Sequence, residues 1–371
     1  MRRLTVVQLL PALHAGGVER STLEIARALV AAGHRAIVVS AGGRLVQPLL
    51  DSGAEHLTLD IGHKSLLTLR HVASLRRLFT ETGADIVHAR SRLPAWLGWY
   101  ALKGMPAASR PRWVTTMHGL NSPGRYSGIM TSGERVICVS QTVRDYLLAN
   151  YPNTDPDTLR VIPRGVDVTQ FPRVARTDRR PRLEVARQHP QLAGDGPLLL
   201  LPGRGTRLKG HAHAIQLLAS LQQHGERNAV LWMPGAREPG REAYIRELEQ
   251  LAQRLGVAER VALTEATSRI AQAYAASDLV LQVSDKPEAF GRTVVEALSV
   301  GRPVLGWNHG GVGELLTQLQ PSGAVALGDA AGLVETALIL LRHPPALPSR
   351  IPFTLQAMQR ATLDVYGELI G

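Results

Sequence analysis

Short runs of apolar residues recur along the chain, and each is followed by a glycine or polar turn and then by an amphipathic segment. Runs of this length predict buried strands, and apolar residues at helical spacing predict the helices between them. In the first half we predict a helix over residues 18–32 and another that begins at Ser140 and runs towards Ala149. The predicted strands cover residues 4–10, 35–40, 85–88, 113–117 and 136–139.

The pattern restarts after a stretch that is rich in proline and arginine, and we place a linker within residues 168–185. Helices are predicted over residues 211–224 and 240–255, with a last helix over 351–370. The strands predicted in this half cover residues 197–201, 229–233, 261–263, 279–283 and 303–306.

Alternating strands and helices predict an α/β fold with two Rossmann-like, doubly wound parallel-sheet domains. We place the domains at residues 1–172 and 173–350, and we expect the helix within 351–371 to pack back on the first domain. Such domains are expected to face a central cleft, because open parallel sheets bind ligands beyond the carboxyl ends of their strands.

Charge is distributed unevenly along the 371 residues, whose net charge is +11. Residues 1–172 hold 20 basic and 12 acidic side chains, a net +8, whereas residues 173–371 hold 22 and 19, a net +3. A basic first domain suits an anionic partner such as a membrane surface, a phosphorylated acceptor or a nucleic acid.

A single cysteine, Cys138, excludes a disulfide within the chain and a cysteine metal cluster. No apolar run approaches the ~20 residues of a membrane span. The start, Met1 to Arg3 followed by apolar residues 4–13, is similar to a signal peptide, but the run is short and leads directly into a glycine pair. We therefore predict that the protein is cytoplasmic, either free or attached to the cytoplasmic face of the inner membrane.

The strongest chemical signal is a pair of carboxylates, Glu288 and Glu296, on either side of Gly291. A helix predicted to begin near Arg292 has unpaired first-turn amides and a dipole that favours an anion. Glu296 shares a helix face with Thr293 and can accept hydrogen bonds from a ribose, while Glu288 can reach a sugar ring. Two solvated glutamates are the ordinary alternative, but the surrounding residues favour a nucleotide-sugar site.

Two cations, Arg204 and Lys209, follow a predicted strand of the second domain. They can neutralise a diphosphate leaving group, or they are simply solvated charges. Gly16 and Gly17 follow the first strand, where glycine lets backbone amides approach a phosphate, or makes a plain tight turn. The Gly-x-Gly-x-x-Gly and P-loop fingerprints are absent, which argues against NAD and against an ATPase.

Taken in order, these motifs resemble the retaining GT-B glycosyltransferases, in particular glycosyltransferase family 4. The family's Asn-Gly-Val-Asp element has Arg164 in place of the asparagine. The matching positions are Gly16-Gly17, Arg164-Gly165-Val166-Asp167, Gly203-Arg204, Lys209-Gly210, Glu288-x7-Glu296 and Gly310-Gly311-Val312-Gly313-Glu314.

The resemblance implies transfer of a hexose, with retention of configuration, from a nucleotide diphosphate donor, most simply a UDP-sugar, to a hydroxyl. The donor is expected on the second domain and the acceptor on the first. Glu296 is expected to hold the ribose, Glu288 the donor sugar, and His118 to support that sugar from across the cleft. The residues expected to bind the diphosphate are Gly16, Gly17, Arg204, Lys209, Gly291, Arg292 and Thr293.

The same resemblance implies that the leaving phosphate takes the acceptor proton, so that no protein base, cofactor or metal is required. Asp155 and Asp157 form an Asp-x-Asp sequence in a proline turn, and His211 and His213 lack a third ligand nearby; we predict that neither pair binds a metal.

We predict an anionic glycolipid or phosphorylated glycan as acceptor, with lipopolysaccharide core or another cell-envelope glycan preferred. His88, Arg90 and Arg92 end a predicted strand and face either a phosphorylated acceptor or solvent. Residues 63–79 predict a basic amphipathic helix that lies on an anionic membrane or packs with a charged face outwards. Aromatic residues 96, 99 and 100 are predicted to be core.

Two other classes of protein remain open from the sequence. A GT-B sugar-nucleotide epimerase shares the architecture but should carry further catalytic carboxylates and histidines. A non-catalytic polyanion-binding protein would explain the charge but not the layout of Glu288 and Glu296. No nucleic-acid-binding motif is present, so we do not predict a nucleic-acid partner.

Overall fold

The structure, a computed structural model, describes residues 2–14 and 16–371. Met1, which belongs to the signal-peptide-like start, and Ala15 lie outside the described residues. The chain divides into two compact units, which we name by position. The N-terminal unit runs to Arg164 and includes Leu355–Gly371, and the C-terminal unit is Gly165–Thr354.

Seven parallel strands form the sheet of the N-terminal unit, in the order β3-β2-β1-β4-β5-β6-β7. The strands are β1 Thr5–Leu9, β2 Arg35–Ser40, β3 Glu55–Thr58, β4 Ile86–Ala89, β5 Arg112–Met117, β6 Arg135–Cys138 and β7 Leu159–Val161. The helices are α1 Gly17–Ala31, α2 Val46–Leu50, α3 His71–Glu81, α4 Arg92–Lys103, α5 Arg125–Gly128 and α6 Gln141–Asn150.

The strand order reverses between β1 and β4, where Val6 lies opposite Ala36 on one side and Ile86 on the other. In open α/β sheets ligands bind outside the carboxyl ends of the strands at such a reversal. The loops that leave β1 and β4 there carry the glycine pair 16–17 and the arginines at 90 and 92. The fold thus places the glycine pair and the two arginines at the same edge of the sheet.

Six parallel strands form the sheet of the C-terminal unit, in the order β10-β9-β8-β11-β12-β13, with its reversal between β8 and β11. The strands are β8 Leu198–Leu200, β9 Val230–Pro234, β10 Val261–Thr264, β11 Leu279–Gln282, β12 Val304–Trp307 and β13 Ala324–Val325. The helices are α7 Arg180–Gln188, α8 His211–Gln223, α9 Glu242–Arg254, α10 Ile270–Ala276, α11 Arg292–Val300, α12 Gly310–Leu319 and α13 Ala330–Arg342.

The two-sheet α/β architecture agrees with the predicted fold class. Strands β3, β7 and β13 were not predicted, because all three lie at sheet edges and are short. An edge strand needs only one paired side and carries a weaker apolar signal than a central one.

The predicted linker, residues 168–185, is held on the C-terminal unit. Ser299 donates a hydrogen bond to the carbonyl of Phe171 (2.8 Å), and the Val174 amide donates to the carbonyl of Val300 (3.1 Å). Buried Arg302 donates to the carbonyls of Val174 and Ala275. Burial lowers the pKa of Arg302 to about 10, with the neighbouring arginines adding to the effect. These partners all belong to the C-terminal unit, which begins at Gly165.

The last helix, α14 Leu355–Ile370, belongs to the N-terminal unit and packs on α1. It begins after residue 351 because Pro352 disfavours helical backbone before it, and Thr354 is bridged to Val166. Its buried face is formed by Met358, Thr362, Val365, Tyr366 and Leu369.

Residues 63–79 do not form one helix, contrary to the prediction. A 3₁₀ turn over Leu66–Arg70 precedes α3, and Ser65 caps that turn by accepting from the Leu67 amide (3.2 Å). Tyr100 was predicted to be core but is 45% exposed, because it stacks on the partly buried Trp96 at the surface of α4. No helix among residues 2–14 and 16–371 is long and apolar enough to cross a membrane.

Candidate functional site

In the C-terminal unit, the loop from β11 enters α11 through a glycine that the geometry requires. Gly291 has φ +103° and a Cβ there would lie 2.9 Å from Cγ2 of Val312, so a larger residue would be both strained and crowded. Helix α11 begins at Arg292 as predicted and has no side-chain cap. Its N-terminus therefore offers the dipole and backbone donors that an anion needs.

Lys209 and Glu288 contact each other directly. The Lys209 Nζ lies 2.5 Å from Oε1 of Glu288, which also accepts a hydrogen bond from Ser284 (2.8 Å). Lys209 reaches this position because Gly210, at φ +74°, turns the chain into α8. A Cβ on Gly210 would lie 1.9 Å from the carbonyl oxygen of Val283, so only glycine lets the two loops approach. Neither the pairing nor Ser284 was predicted.

Glu296 lies one turn into α11 and is only 7% exposed. The hydroxyl of Tyr274 donates a hydrogen bond to its Oε2 (3.0 Å), and the Tyr274 ring packs near Phe171. Tyr274 is a residue that sequence reasoning missed, since a tyrosine in an apolar helix carries no motif. Its hydroxyl restricts the orientation of the Glu296 carboxylate.

A second glycine pair supports the loop that carries Glu288. The Gly311 amide donates to the carbonyl of Glu288 (2.8 Å), and a Cβ on Gly311 would lie 2.5 Å from the Cα of Phe290. His309, which precedes α12, contacts the carbonyl of Ser284 through Nε2 (2.9 Å). Close backbone packing thus explains why glycines occupy positions 310 and 311.

Arg204 is exposed in the loop after β8, and no ion pair to it is found within the described part of the chain. His211 lies buried at the start of α8, behind the same loop. Burial lowers the pKa of His211 to about 4, although the backbone of Thr206 and Gly203 acts in the opposite direction. His211 is therefore neutral near pH 7 and adds no charge beside Lys209.

In the N-terminal unit, Gly16 (φ +148°) precedes α1, and Gly17 opens it with no atom near the place of a Cβ. Helix α1 has no side-chain cap. The carboxylate of Glu19 lies against Gly16, where it would be 2.5 Å from an added Cβ. A negative side chain thus already stands at the predicted phosphate loop, and the phosphate role of Gly16 and Gly17 stays a prediction.

His118 is held by Arg164, the residue that replaces the asparagine of the family element. Nη2 of Arg164 contacts Nδ1 of His118, and Nη1 donates to Ser21 (2.6 Å). The same Nη2 also lies 3.4 Å from Nε2 of His118, and because a guanidinium can only donate, the shorter contact favours Nδ1 as the acceptor. The role of His118 at the donor sugar stays a prediction.

The three residues at the end of β4 lie in different environments. His88 is fully buried between the hydroxyls of Tyr366 (2.7 Å) and Thr116 (2.6 Å), so it faces neither an acceptor nor solvent. Burial lowers the pKa of His88 well below its usual range, and the charges of Arg90 and Arg164 lower it further. Arg90 is buried and Arg92 is half-buried, and both line a cavity.

The residues considered for metal binding have other contacts. Asp155 caps a short 3₁₀ turn by accepting from the Asp157 amide (2.9 Å), and His213 pairs with Asp285 (2.7 Å). Across the part of the chain that the structure describes, no group of three or more His, Cys, Asp or Glu side chains is arranged to hold a metal ion.

Comparison with known proteins assigns both halves of the chain. The family model described as Glycosyltransferase Family 4 matches residues 15–170, and the model described as Glycosyl transferases group 1 matches residues 184–350. The chain is a GT-B glycosyltransferase. This confirms the predicted glycosyltransferase family, fold class and enzyme class, and it favours a transferase over the epimerase and the polyanion-binding protein.

Two relatives show the range of this enzyme's similarities. It is 28% identical over 335 residues to a D-inositol 3-phosphate glycosyltransferase of Xylanimonas cellulosilytica, covering 80% of this chain and 76% of the relative. It is 30% identical over 153 residues to the lipopolysaccharide glucosyltransferase WaaG of Escherichia coli, covering 41% and 38% of the two chains.

Two solved structures resemble this glycosyltransferase over nearly its whole length. A glycosyltransferase from Rickettsia africae has a TM-score of 0.84 and 27% identity, covering 100% of this chain and 99% of its own. HepE of Anabaena, in complex with UDP and glucose, has a TM-score of 0.76 and 21% identity, covering 98% and 95%.

Gly311→Ala should destabilise this glycosyltransferase by about 1–3 kcal/mol, because the new methyl group meets backbone rather than a movable side chain. The midpoint of chemical denaturation measures this. Gly367→Ala is the matched control: its site in α14 is open, and the change should be neutral or stabilising by up to about 1 kcal/mol. Equal effects of the two substitutions would contradict the packing account of the glycine pair.

Proposed function

We propose that the enzyme transfers a hexose from a UDP-sugar to a hydroxyl of an anionic acceptor, with retention of configuration. The acceptor we propose is lipopolysaccharide core or another cell-envelope glycan. The observation that carries the donor part is the contact between Lys209 and Glu288 beside the uncapped N-terminus of α11. The UDP and glucose bound to HepE support a UDP-sugar, and similarity to WaaG supports the acceptor class.

The donor is proposed to bind on the C-terminal unit and the acceptor on the N-terminal unit. The amides of Arg292 and Thr293, after Gly291, together with Arg204 and Lys209, would hold the diphosphate. Glu296, oriented by Tyr274, would accept hydrogen bonds from the ribose.

The ion pair of Lys209 and Glu288 gives donor binding a defined order of events. Without donor, each side chain offsets the charge of the other at 2.5 Å. An arriving diphosphate would compete for Lys209, since it carries more negative charge than one carboxylate. Glu288 would then accept hydrogen bonds from the donor sugar, so the sugar contact would form only when the phosphates are in place.

The transfer step balances without a protein base. The bond from the anomeric carbon to the β-phosphate oxygen breaks, and a bond from that carbon to the acceptor oxygen forms on the same face. The acceptor proton passes to the leaving phosphate, and UDP is released. Lys209, Arg204 and the α11 dipole would stabilise the charge that develops on the phosphate, and His118 would support the donor sugar through a hydrogen bond to a hydroxyl.

Glu296→Gln should weaken UDP binding about tenfold or more, because a hydrogen bond to a charged acceptor is worth about 1.5–3 kcal/mol. Calorimetric titration with UDP measures this, and the amide oxygen can still accept from Tyr274. Glu335→Gln removes the same charge from the exposed surface of α13 and should leave UDP affinity unchanged. Wild-type affinity in Glu296→Gln would refute the ribose role.

Donor-dependent UDP release should continue in excess EDTA, since we propose that Arg204 and Lys209 supply the positive charge at the diphosphate. In the Lys209→Ala variant the turnover number should fall markedly, whereas the denaturation midpoint should change little. Loss of wild-type activity in EDTA that Mg²⁺ or Mn²⁺ restores would overturn the metal-independent mechanism.

Membrane contact is a further part of the proposal and concerns three leucines of the 3₁₀ turn. Leu66, Leu67 and Leu69 are 87%, 72% and 51% exposed, and they lie between the exposed cations Lys64 and Arg70. Apolar and basic side chains at one surface favour an anionic lipid interface. We propose peripheral attachment there, at the cytoplasmic face of the inner membrane.

The double variant Leu66→Ser/Leu67→Ser should reduce cosedimentation with vesicles that contain anionic phospholipid. Neutral phosphatidylcholine vesicles should retain less of the wild-type protein, because the basic residues contribute only on an anionic surface. Ile339→Ser removes another exposed apolar side chain, on α13, and serves as the control. Equal sedimentation of all three proteins would contradict membrane attachment through this turn.

A further inference from the structure

In the C-terminal unit, the segments that follow β8 and β11 contact each other through side chains at more than one place. One contact is the pair of Lys209 and Glu288, both of which belong to the proposed donor site. Another joins His213 and Asp285, whose Nε2 and Oδ1 atoms lie 2.7 Å apart. Neither His213 nor Asp285 is assigned to the donor, so this second contact needs its own explanation.

The backbone fixes the position of Asp285. Its amide donates a hydrogen bond to the carbonyl of Leu208 (3.0 Å), and Gly210 lies against the carbonyl of Val283 in the same two segments. Asp285 thus lies beside the first turn of α8, which contains His213. A carboxylate is favoured there, because α8 has no side-chain cap and no acidic residue in its first turn.

A buried aromatic ring also contacts the imidazole of His213. The rings of His213 and Trp307 lie edge to face, with their centroids 5.7 Å apart and their planes at 84°. Such a geometry is favourable for two aromatic rings. Trp307 is the last residue of β12 and is only 1% exposed, so it gives His213 a rigid support. His213 therefore contacts both the loop after β11 and the end of β12.

The hydrogen bond between His213 and Asp285 exists with either a neutral or a charged imidazole. An ionised carboxylate can only accept, so Nε2 of His213 carries a proton in both forms of the ring. The two side chains are 36% and 48% exposed, and a contact of that exposure adds little to the stability of a whole unit. We therefore expect its effect in the local position of the two segments.

We propose that His213 and Asp285 are positioning residues of the transfer reaction, and that their contact is a clamp that holds the two segments together while the donor binds. The inference rests on the proposed function, in which a diphosphate takes Lys209 away from Glu288. That event removes one link between the segments, whereas the donor does not compete for the clamp. Asp285 lies three residues before Glu288, so the clamp keeps that carboxylate where the donor sugar is proposed to bind.

Hydrogen exchange of the full chain without ligand tests the clamp directly. His213→Ala should speed exchange of the amides in residues 283–291 by up to about fivefold, the range expected for a partly exposed pair. His213→Gln should restore slow exchange, since its side-chain amide can still donate to Asp285. His343→Ala is the matched control, because it removes an exposed histidine just after α13 and should leave these amides unchanged.

Calorimetric titration with UDP-glucose and with UDP tests the link to the donor. His213→Ala and Asp285→Ala should each weaken UDP-glucose binding by about twofold to fivefold. The double variant should bind no more weakly than either single variant, because the two side chains act through one contact. Affinity for UDP should change less, since Glu288 is proposed to contact the sugar, and the denaturation midpoint should stay close to that of the wild type.

Three results would overturn the inference: equal exchange in His213→Ala and His343→Ala, effects of the two alanine substitutions that multiply in the double variant, or equal losses of affinity for UDP and UDP-glucose. Failure of the proposed function is seen separately, as absence of UDP and UDP-glucose binding by the wild-type enzyme. In that case hydrogen exchange still decides whether the clamp holds the two segments together.

Discussion

The C-terminal unit depends on the close approach of backbone segments at the carboxyl edge of its sheet. Gly210 lies against the carbonyl of Val283, and Gly311 lies against Phe290, at distances where a Cβ would be 1.9 and 2.5 Å from its neighbours. These approaches bring the loops after β8, β11 and β12 together. Because the loops are locked by backbone contact, Lys209 and Glu288 meet without long mobile connections.

The charge balance at the proposed donor site of the C-terminal unit follows from the same approach of the loops. Lys209 and Glu288 are each about one-quarter exposed and pair at 2.5 Å, so the unliganded site is close to neutral where a diphosphate is proposed to bind. The neighbouring histidine, His211, is kept neutral by burial. The exposed Arg204 and the N-terminal end of α11 add positive potential to this unit.

The N-terminal unit differs in that it holds two buried arginine side chains. Arg90 and Arg164 are buried among Gln8, Ser21 and His118, and the neutral His88 contacts Tyr366 of α14. Helix α14 comes from the far end of the chain and supplies Tyr366 to this network. The last helix therefore takes part in the polar interior of the unit, in addition to covering its apolar face.

The sequence by itself determined the elements and their order. Apolar runs bounded by glycine located most central strands, the Gly291 turn located the start of α11, and the ordered motifs identified the enzyme class. Three of the four edge strands in the described residues, β3, β7 and β13, were not predicted, because pairing on one side only leaves a weaker sequence pattern. Only the tertiary structure decided which side chains meet: Lys209 with Glu288 across 79 positions, Tyr274 with Glu296 across 22, and His88 with Tyr366 across 278. Pattern reports what each residue prefers locally, whereas a contact between distant residues depends on how whole layers pack, and for that reason His88 was expected at a surface and lies in the interior.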